Sequence, residues 1–214
     1  MYLVELYKLI EEGESQTVEF KRKFSTPEKI AKEMIAFANT KGGYILFGVD
    51  DDKTIVGVRS EKEEIELVDS AAVFYCEPEI KYEFEIILIK GLDVVAVYIP
   101  ESENKPHYLI TEDEDNMKCY VRLDDMSIIA SKETAKILKG QNSKNPLTIN
   151  FGENEKTLMN FLNDNGKITV KGFKKLVNIS ERRASRTLVN LVRAGTIRHH
   201  FNGKKNILHL PEIN

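Results

Sequence analysis

Cysteine is scarce in this 214-residue chain: only Cys76 and Cys119 are present, far apart and in unrelated contexts. Two distant cysteines build neither a disulfide scaffold nor a zinc site. They read as free, buried thiols of a reducing compartment, and so place the protein in the cytoplasm. A membrane helix is excluded by the lack of any run approaching roughly 18 to 20 uncharged apolar residues. The opening Met1-Tyr2-Leu3-Val4-Glu5 sets an acid among its apolar residues without a basic lead-in, so it does not read as a signal peptide. A phosphate-binding P-loop is also missing. Gly42-Gly43 is followed by Tyr44, and neither Gly166-Lys167 nor Gly203-Lys204 has the upstream glycine such a loop needs. No internal repeat or low-complexity segment is visible. What is present suits a water-exposed globular chain, with 42% hydrophobic and 30% charged residues.

The net charge of −3 conceals a division. Residues 146–214 hold twelve Lys and Arg against five Asp and Glu, a net of +7, while residues 1–145 hold nineteen against twenty-nine, a net of −10. Such asymmetry points to different partners for the two halves. The basic half suits a polyanion, and the acidic half would repel one unless a metal ion or a local basic patch intervenes. The polar, turn-forming stretch from Gly140 to Pro146 marks the join. The expected organisation is therefore a domain over 1–140, a linker over 141–150 and a second domain over 151–214.

In the first domain, Leu3, Leu6, Tyr7 and Ile10 have helical spacing, and Gly13 supplies a stop. Thr17–Lys21 alternates as a short strand. Pro27 opens a second helix whose buried side is Ile30, Met34, Ile35 and Phe37. Tyr44–Val49 is apolar on both faces and reads as a strand inside a sheet. After an Asp50–Lys53 turn come a strand over 54–58, a helix over 61–74, a hairpin of strands 80–89 and 92–99, and a strand over 118–122. Helices and strands interleave without strict βαβ repetition, which predicts an α+β fold with a mixed sheet.

The second domain predicts helices over 153–163, 172–177 and 181–194, the last capped by Ser180 and ended by Gly195. A short strand over 168–170 lies between the first two. Two strands then flank Asn202-Gly203, a strong hairpin signal. Three helices followed by a β-hairpin is the order of a winged helix-turn-helix. Arg182, Arg183 and Arg186 cluster in the first turns of its third helix, where major-groove contacts originate. Arg198, His199, His200, Lys204 and Lys205 on the wing suit phosphate or minor-groove contact. His199 and His200 are adjacent on a strand and point to opposite sides, which argues against a shared metal.

Four blocks of the first domain carry a family resemblance. They are Gly13–Lys21, Ala36–Asp51, Lys105-Pro106-His107-Tyr108 and Tyr120-Val121-Arg122. In this order, over about residues 8–138, they resemble the Schlafen-type, AlbA-like DNA-binding domain. Bacterial members with a C-terminal winged helix look like transcriptional regulators. The resemblance to vertebrate Schlafens further implies a metal-dependent ribonuclease site. By position Glu14 and Glu19 would match its glutamates and Asp51 its aspartate, with Asp50 as the register alternative and Mg²⁺ or Mn²⁺ as cofactor. The vertebrate enzymes join two such lobes to grip RNA, so a homodimer would be needed here to supply the second. Where the family usually has Gly-Ser after Tyr-x-Arg, this chain has Leu123-Asp124-Asp125-Met126-Ser127, which weakens any phosphate contact there. The leading expectation is a nucleic-acid-binding protein, a DNA-binding transcriptional regulator acting on duplex DNA. The alternative is a three-carboxylate ribonuclease.

Overall fold

The apolar run after Gly42-Gly43 forms the strand around which the N-terminal part of the chain is built. In the computed structural model, which describes residues 2–23, 25–112, 117–141, 149 and 151–211, this strand is β2 (Gly43–Phe47). It pairs in parallel with β1 (Val18–Lys21) and antiparallel with β5 (Leu92–Ile99), which pairs antiparallel with β4 (Glu83–Ile89). The sheet order is β1-β2-β5-β4, and the sheet is mixed. Alternation along β2 explains why its sequence is apolar on both faces. Ile45 and Phe47 face a core shared with α2 (Pro27–Asn39) and α3 (Glu61–Phe74), whereas Leu46 faces a second core under α1 (Leu3–Glu12). Each fully buried side chain of this size stabilises the fold by roughly 1.5–3 kcal/mol.

Helix α2 is buried nearly all round. Nine of its thirteen residues are buried, because a second sheet covers its other side. That sheet runs β3 (Cys76–Glu77), β6 (Tyr108–Leu109), β7 (Lys118–Leu123) and β8 (Met126–Ile129). Gly42-Gly43 makes the turn from α2 into β2. Gly42 has φ of +72°, and a Cβ on Gly43 would fall 2.5 Å from the Thr17 carbonyl oxygen. Neither position tolerates a side chain, whatever else the residues do.

Two expectations need correction. Residues 54–58 form no strand: Ile55 makes one isolated bridge to Val49, and Val56 and Gly57 both donate to the Gly48 carbonyl. Gly57 has φ of +71°, which breaks the extended run. Second, the turn at Asp124-Asp125 joins β7 to β8, a hairpin that the sequence did not suggest.

The residues group into two compact units, Met1–Ile129 and Ala130–Asn214. Helix α4 (Lys132–Gln141) therefore counts with the second unit, whereas the sequence put the boundary near residue 140. The reason is packing of α4 against α7 (Glu181–Arg193). Of the expected linker, residues 142–148 and 150 lie outside the described residues. The rest of the unit comprises α5 (Glu153–Asn165), β9 (Lys167–Ile168), α6 (Val170–Leu176), α7, and a hairpin of β10 (Arg198–Phe201) and β11 (Asn206–His209). β9 pairs with β11 at its edge, giving the order β10-β11-β9. Leu158, Leu162, Phe173, Leu188 and Leu191 fill its core. Thr169 and Ser180 cap α6 and α7 by accepting from the backbone N–H groups of Gly172 and Arg183. Such caps are worth about 1 kcal/mol each. Among the described residues no helix is long and apolar enough to cross a membrane.

Candidate functional site

On β1 the side chains alternate, so Val18 and Phe20 enter the core under α1 while Glu19 and Lys21 face the other way. Glu19 thereby reaches the buried guanidinium of Arg122 on β7. The Arg122 Nη1 lies 2.9 Å from Glu19 Oε2 and 3.2 Å from Glu33 Oε2, and it donates to Ser127 Oγ at 3.1 Å. The Nη2 donates to the carbonyls of Ser15 at 2.7 Å and Asp125 at 2.9 Å. The guanidinium also lies 4.7 Å from the Phe37 ring centroid. Ser127 donates to Glu33, and Lys21 pairs with the remaining oxygen of Glu19. One arginine thus ties together β1, α2 and the β7–β8 hairpin.

The same blocks meet at the end of α2. Buried Asn39 donates to the carbonyls of His107 (3.0 Å) and Tyr120 (2.9 Å), and its Oδ1 accepts from the His107 N–H at 2.8 Å. His107 holds its Nδ1 2.7 Å from the Pro78 carbonyl and its Nε2 2.6 Å from Ser102 Oγ. A carbonyl can only accept, so Nδ1 carries the proton and Nε2 accepts from the serine hydroxyl. Burial holds the imidazole below its ordinary pKa, which keeps it neutral. Both cysteines are buried and free, and burial pushes each thiol up to about 12, so neither is a nucleophile at neutral pH.

The three carboxylates expected from the resemblance share a neighbourhood but not a ligand geometry. Glu14 is exposed and accepts from the Phe20 N–H at 3.0 Å. Its carboxyl is raised above its ordinary value, first by desolvation and further by the negative charges of Glu19 and Asp51. Glu19 is committed to Arg122 and Lys21. Asp51 is exposed on a turn in which Asp50 accepts from Arg22 at 2.7 Å and Asp52 accepts from the Thr54 N–H at 2.9 Å. Among the described residues no three His, Cys, Asp or Glu gather into a set that could hold a metal ion. The donor set does not fit Mg²⁺ or Mn²⁺, because its central carboxylate is already neutralised by two cations.

In the second unit, Ala184, Leu188 and Leu191 turn inward from α7, and Arg182, Arg183 and Arg186 are exposed on its first two turns. Arg198, Lys204 and Lys205 are likewise exposed on and beside the β10–β11 hairpin. His199 and His200 differ as alternation requires, His199 half-buried with Nε2 2.9 Å from Asn206 Oδ1 and His200 exposed.

Two organising groups had escaped the sequence reading. Glu33 occupies an i+3 position after Ile30 on the buried side of α2, and an acid on such a face is the signal that could have revealed it. Glu133 on α4 accepts from Ser185 of α7 at 2.8 Å and from Asn206 of β11 at 3.0 Å. Its partners lie 52 and 73 residues further along the chain, so no local pattern reveals it.

A family profile described as Schlafen, AlbA_2 matches residues 14–131, more than half of the chain. The match ends one residue before α4 begins. Among solved structures, the N-terminal domain of a RecG-related protein from Nitrosomonas europaea is 27% identical, covering 52% of this chain and 79% of that one, with a TM-score of 0.43. A protein from Corynebacterium diphtheriae is 17% identical over 66% of this chain and 33% of its own length, with a TM-score of 0.46.

Proposed function

The chain belongs to the Schlafen AlbA_2 family, and from that premise we propose that it is a nucleic-acid-binding protein, a DNA-binding transcriptional regulator whose second unit is a winged helix. The observation that carries this reading is the first half of α7. Its apolar side is locked into the core while Arg182, Arg183 and Arg186 stand exposed. Guanidinium groups in that position can donate two bonds to a guanine edge or contact phosphates. Arg198, Lys204 and Lys205 add cations on the hairpin that would act as the wing. Duplex DNA is the partner this arrangement fits best. The first unit would act as the family-specific body of the regulator, with Arg122 holding β1, α2 and the β7–β8 hairpin in place rather than serving catalysis. The ribonuclease alternative lacks support from the geometry, since Glu19 is held by Arg122 and Lys21.

The test is a titration of the full chain against labelled duplex DNA and tRNA, each with and without Mn²⁺. Retardation of the duplex without cleavage is expected. Each arginine that reads a base contributes roughly 1–3 kcal/mol, so the Arg182→Ala/Arg183→Ala/Arg186→Ala variant should lose at least tenfold in affinity. Unchanged duplex binding by that variant would show that α7 is not the reading head.

A further inference from the structure

Helix α4 is not a spacer in this fold. It lies along α7, fixed there by Glu133, which accepts from both Ser185 on α7 and Asn206 on β11. Thr134 and Ser131 close its first turn, with the Thr134 N–H donating to Ser131 Oγ at 3.0 Å. Between the two helices runs an open groove of about 510 Å³. Five cations line it: Lys136 and Lys139 from α4, and Arg182, Arg186 and Arg193 from α7. Its described lining includes no carboxylate. Of the acids nearest in sequence, Glu181 pairs with Lys174 at 3.4 Å, and Glu133 reaches the groove only through Ser185, whose hydroxyl donates to it and accepts from Lys136 at 3.3 Å.

Five like charges in one groove repel one another, and an anion from outside would relieve them. A second feature shows that the crowding is built in. Arg193 lies across Gly140 of α4 so closely that a Cβ there would fall 2.0 Å from its Nε. That Nε is a buried donor without a partner among the described residues. A glycine inside a helix lowers helix stability by roughly 1 kcal/mol relative to alanine, yet here it is what allows the arginine to lie over the α4 end of the groove. The α7 residues involved, Arg182 to Arg193, span eleven helical steps, roughly 16 Å along the axis. Phosphates of one DNA strand advance about 3.4 Å along the duplex axis per nucleotide, so the groove can follow several of them.

We infer that the α4–α7 groove is a phosphate-backbone track for duplex DNA, in which Lys136 and Lys139 grip the strand that flanks the reading face of α7. The inference rests on the DNA-binding reading above and divides its arginines. Arg182 and Arg186 line the track and contact phosphates, whereas Arg183 is outside its lining and is left to meet base edges. Helix α4 thereby becomes part of the DNA-binding surface although it precedes the helix-turn-helix in sequence.

The experiment compares the full-length wild type with Lys136→Ala/Lys139→Ala on two labelled duplexes of unrelated sequence across a salt series. Lys8→Ala/Lys62→Ala on the first unit serves as a control of equal charge change. If each lysine neutralises one phosphate, losing both lowers the slope of log K against log salt by about 1.8. Affinity should then fall on the order of tenfold or more near 0.1 M salt, equally for both duplexes, while the control variant stays at wild-type affinity. Wild-type binding with an unchanged slope in the α4 variant overturns the track and leaves the reading head in α7 standing. An equal loss in the control variant also overturns it, because net charge alone would then explain the effect. A wild type that binds no duplex overturns both proposals at once.

Discussion

Replacing Arg122 with methionine would test whether the polar centre of the first unit is structural. The side chain is fully buried and its guanidinium faces two carboxylates, those of Glu19 and Glu33, each mostly shielded from water. Methionine preserves much of the packed stem but leaves both acids without their cation, and it also orphans the Ser15 and Asp125 carbonyls. Removing one partner of a buried ion pair destabilises by about 3–5 kcal/mol. For a unit of this size each kcal/mol moves the melting point by roughly 4 °C, so a fall of roughly 12–20 °C is expected. The assay is unusually clean. All eight tyrosines lie in the first unit and the chain has no tryptophan, so tyrosine emission follows the unfolding of that unit alone. Adding Glu19→Gln and Glu33→Gln to the methionine variant removes the stranded charges and should recover a large part of the loss. If Arg122→Met melted within about 1 kcal/mol of wild type, or if the triple variant were no more stable than the single one, the argument from stranded charge would fail.

Two further outcomes follow from the same site. Millimolar Mg²⁺ or Mn²⁺ should leave the tyrosine-reported melting point unchanged, in the wild type and in Glu19→Gln/Asp51→Asn alike. A site filled at a hundred times its Kd would instead add about 2.7 kcal/mol, and a shift of that size in the wild type alone would restore the ribonuclease reading. His107 gives a pH signature. Its folded-state pKa lies below the unfolded value because burial disfavours the cation, so the unfolded chain binds the extra proton. The stability contribution is then complete above the unfolded pKa of about 6.5 and is lost as pH falls below it. Tyrosine-monitored melting should therefore drop between neutral pH and pH 5, and His107→Gln should flatten that part of the profile. An identical slope in the variant would assign the proton uptake elsewhere.

The elements that could be read from sequence were those whose signal is local. Pro27 opens α2, Ser180 caps α7, and the two-faced apolar run of β2 announces a central strand. The elements that escaped are set by partners distant in sequence. Nothing near residues 54–58 says that their N–H groups will turn back to Gly48, or that Val58 will donate to Asp93. Similarly, α4 has a helical pattern of its own, but which unit claims it depends on Ser185 and Asn206, some fifty and seventy residues away. The candidate site divides in the same way. The exposed arginines of α7 are legible because helix periodicity alone places them outside the core. Glu14, Glu19 and Asp51 are legible as a group through the resemblance, but not the cation that holds Glu19, since Glu19 and Arg122 are 103 residues apart.

That separation has a consequence for how the protein is made. During synthesis Glu19 and Glu33 leave the ribosome about ninety residues or more before the arginine that neutralises them. Until Arg122 and the β8 strand behind it emerge, α2 must keep an acid on a face destined for burial, and the sheet has a reason to stay open. Contacts this distant in sequence close late and slowly. The first unit can therefore set only once nearly all of it has been translated, shortly before the basic unit begins to appear. A ribosome stalled before residue 122 would hold a nascent chain whose two buried-site acids still need water, which makes that chain a substrate for proteolysis rather than a partly working domain.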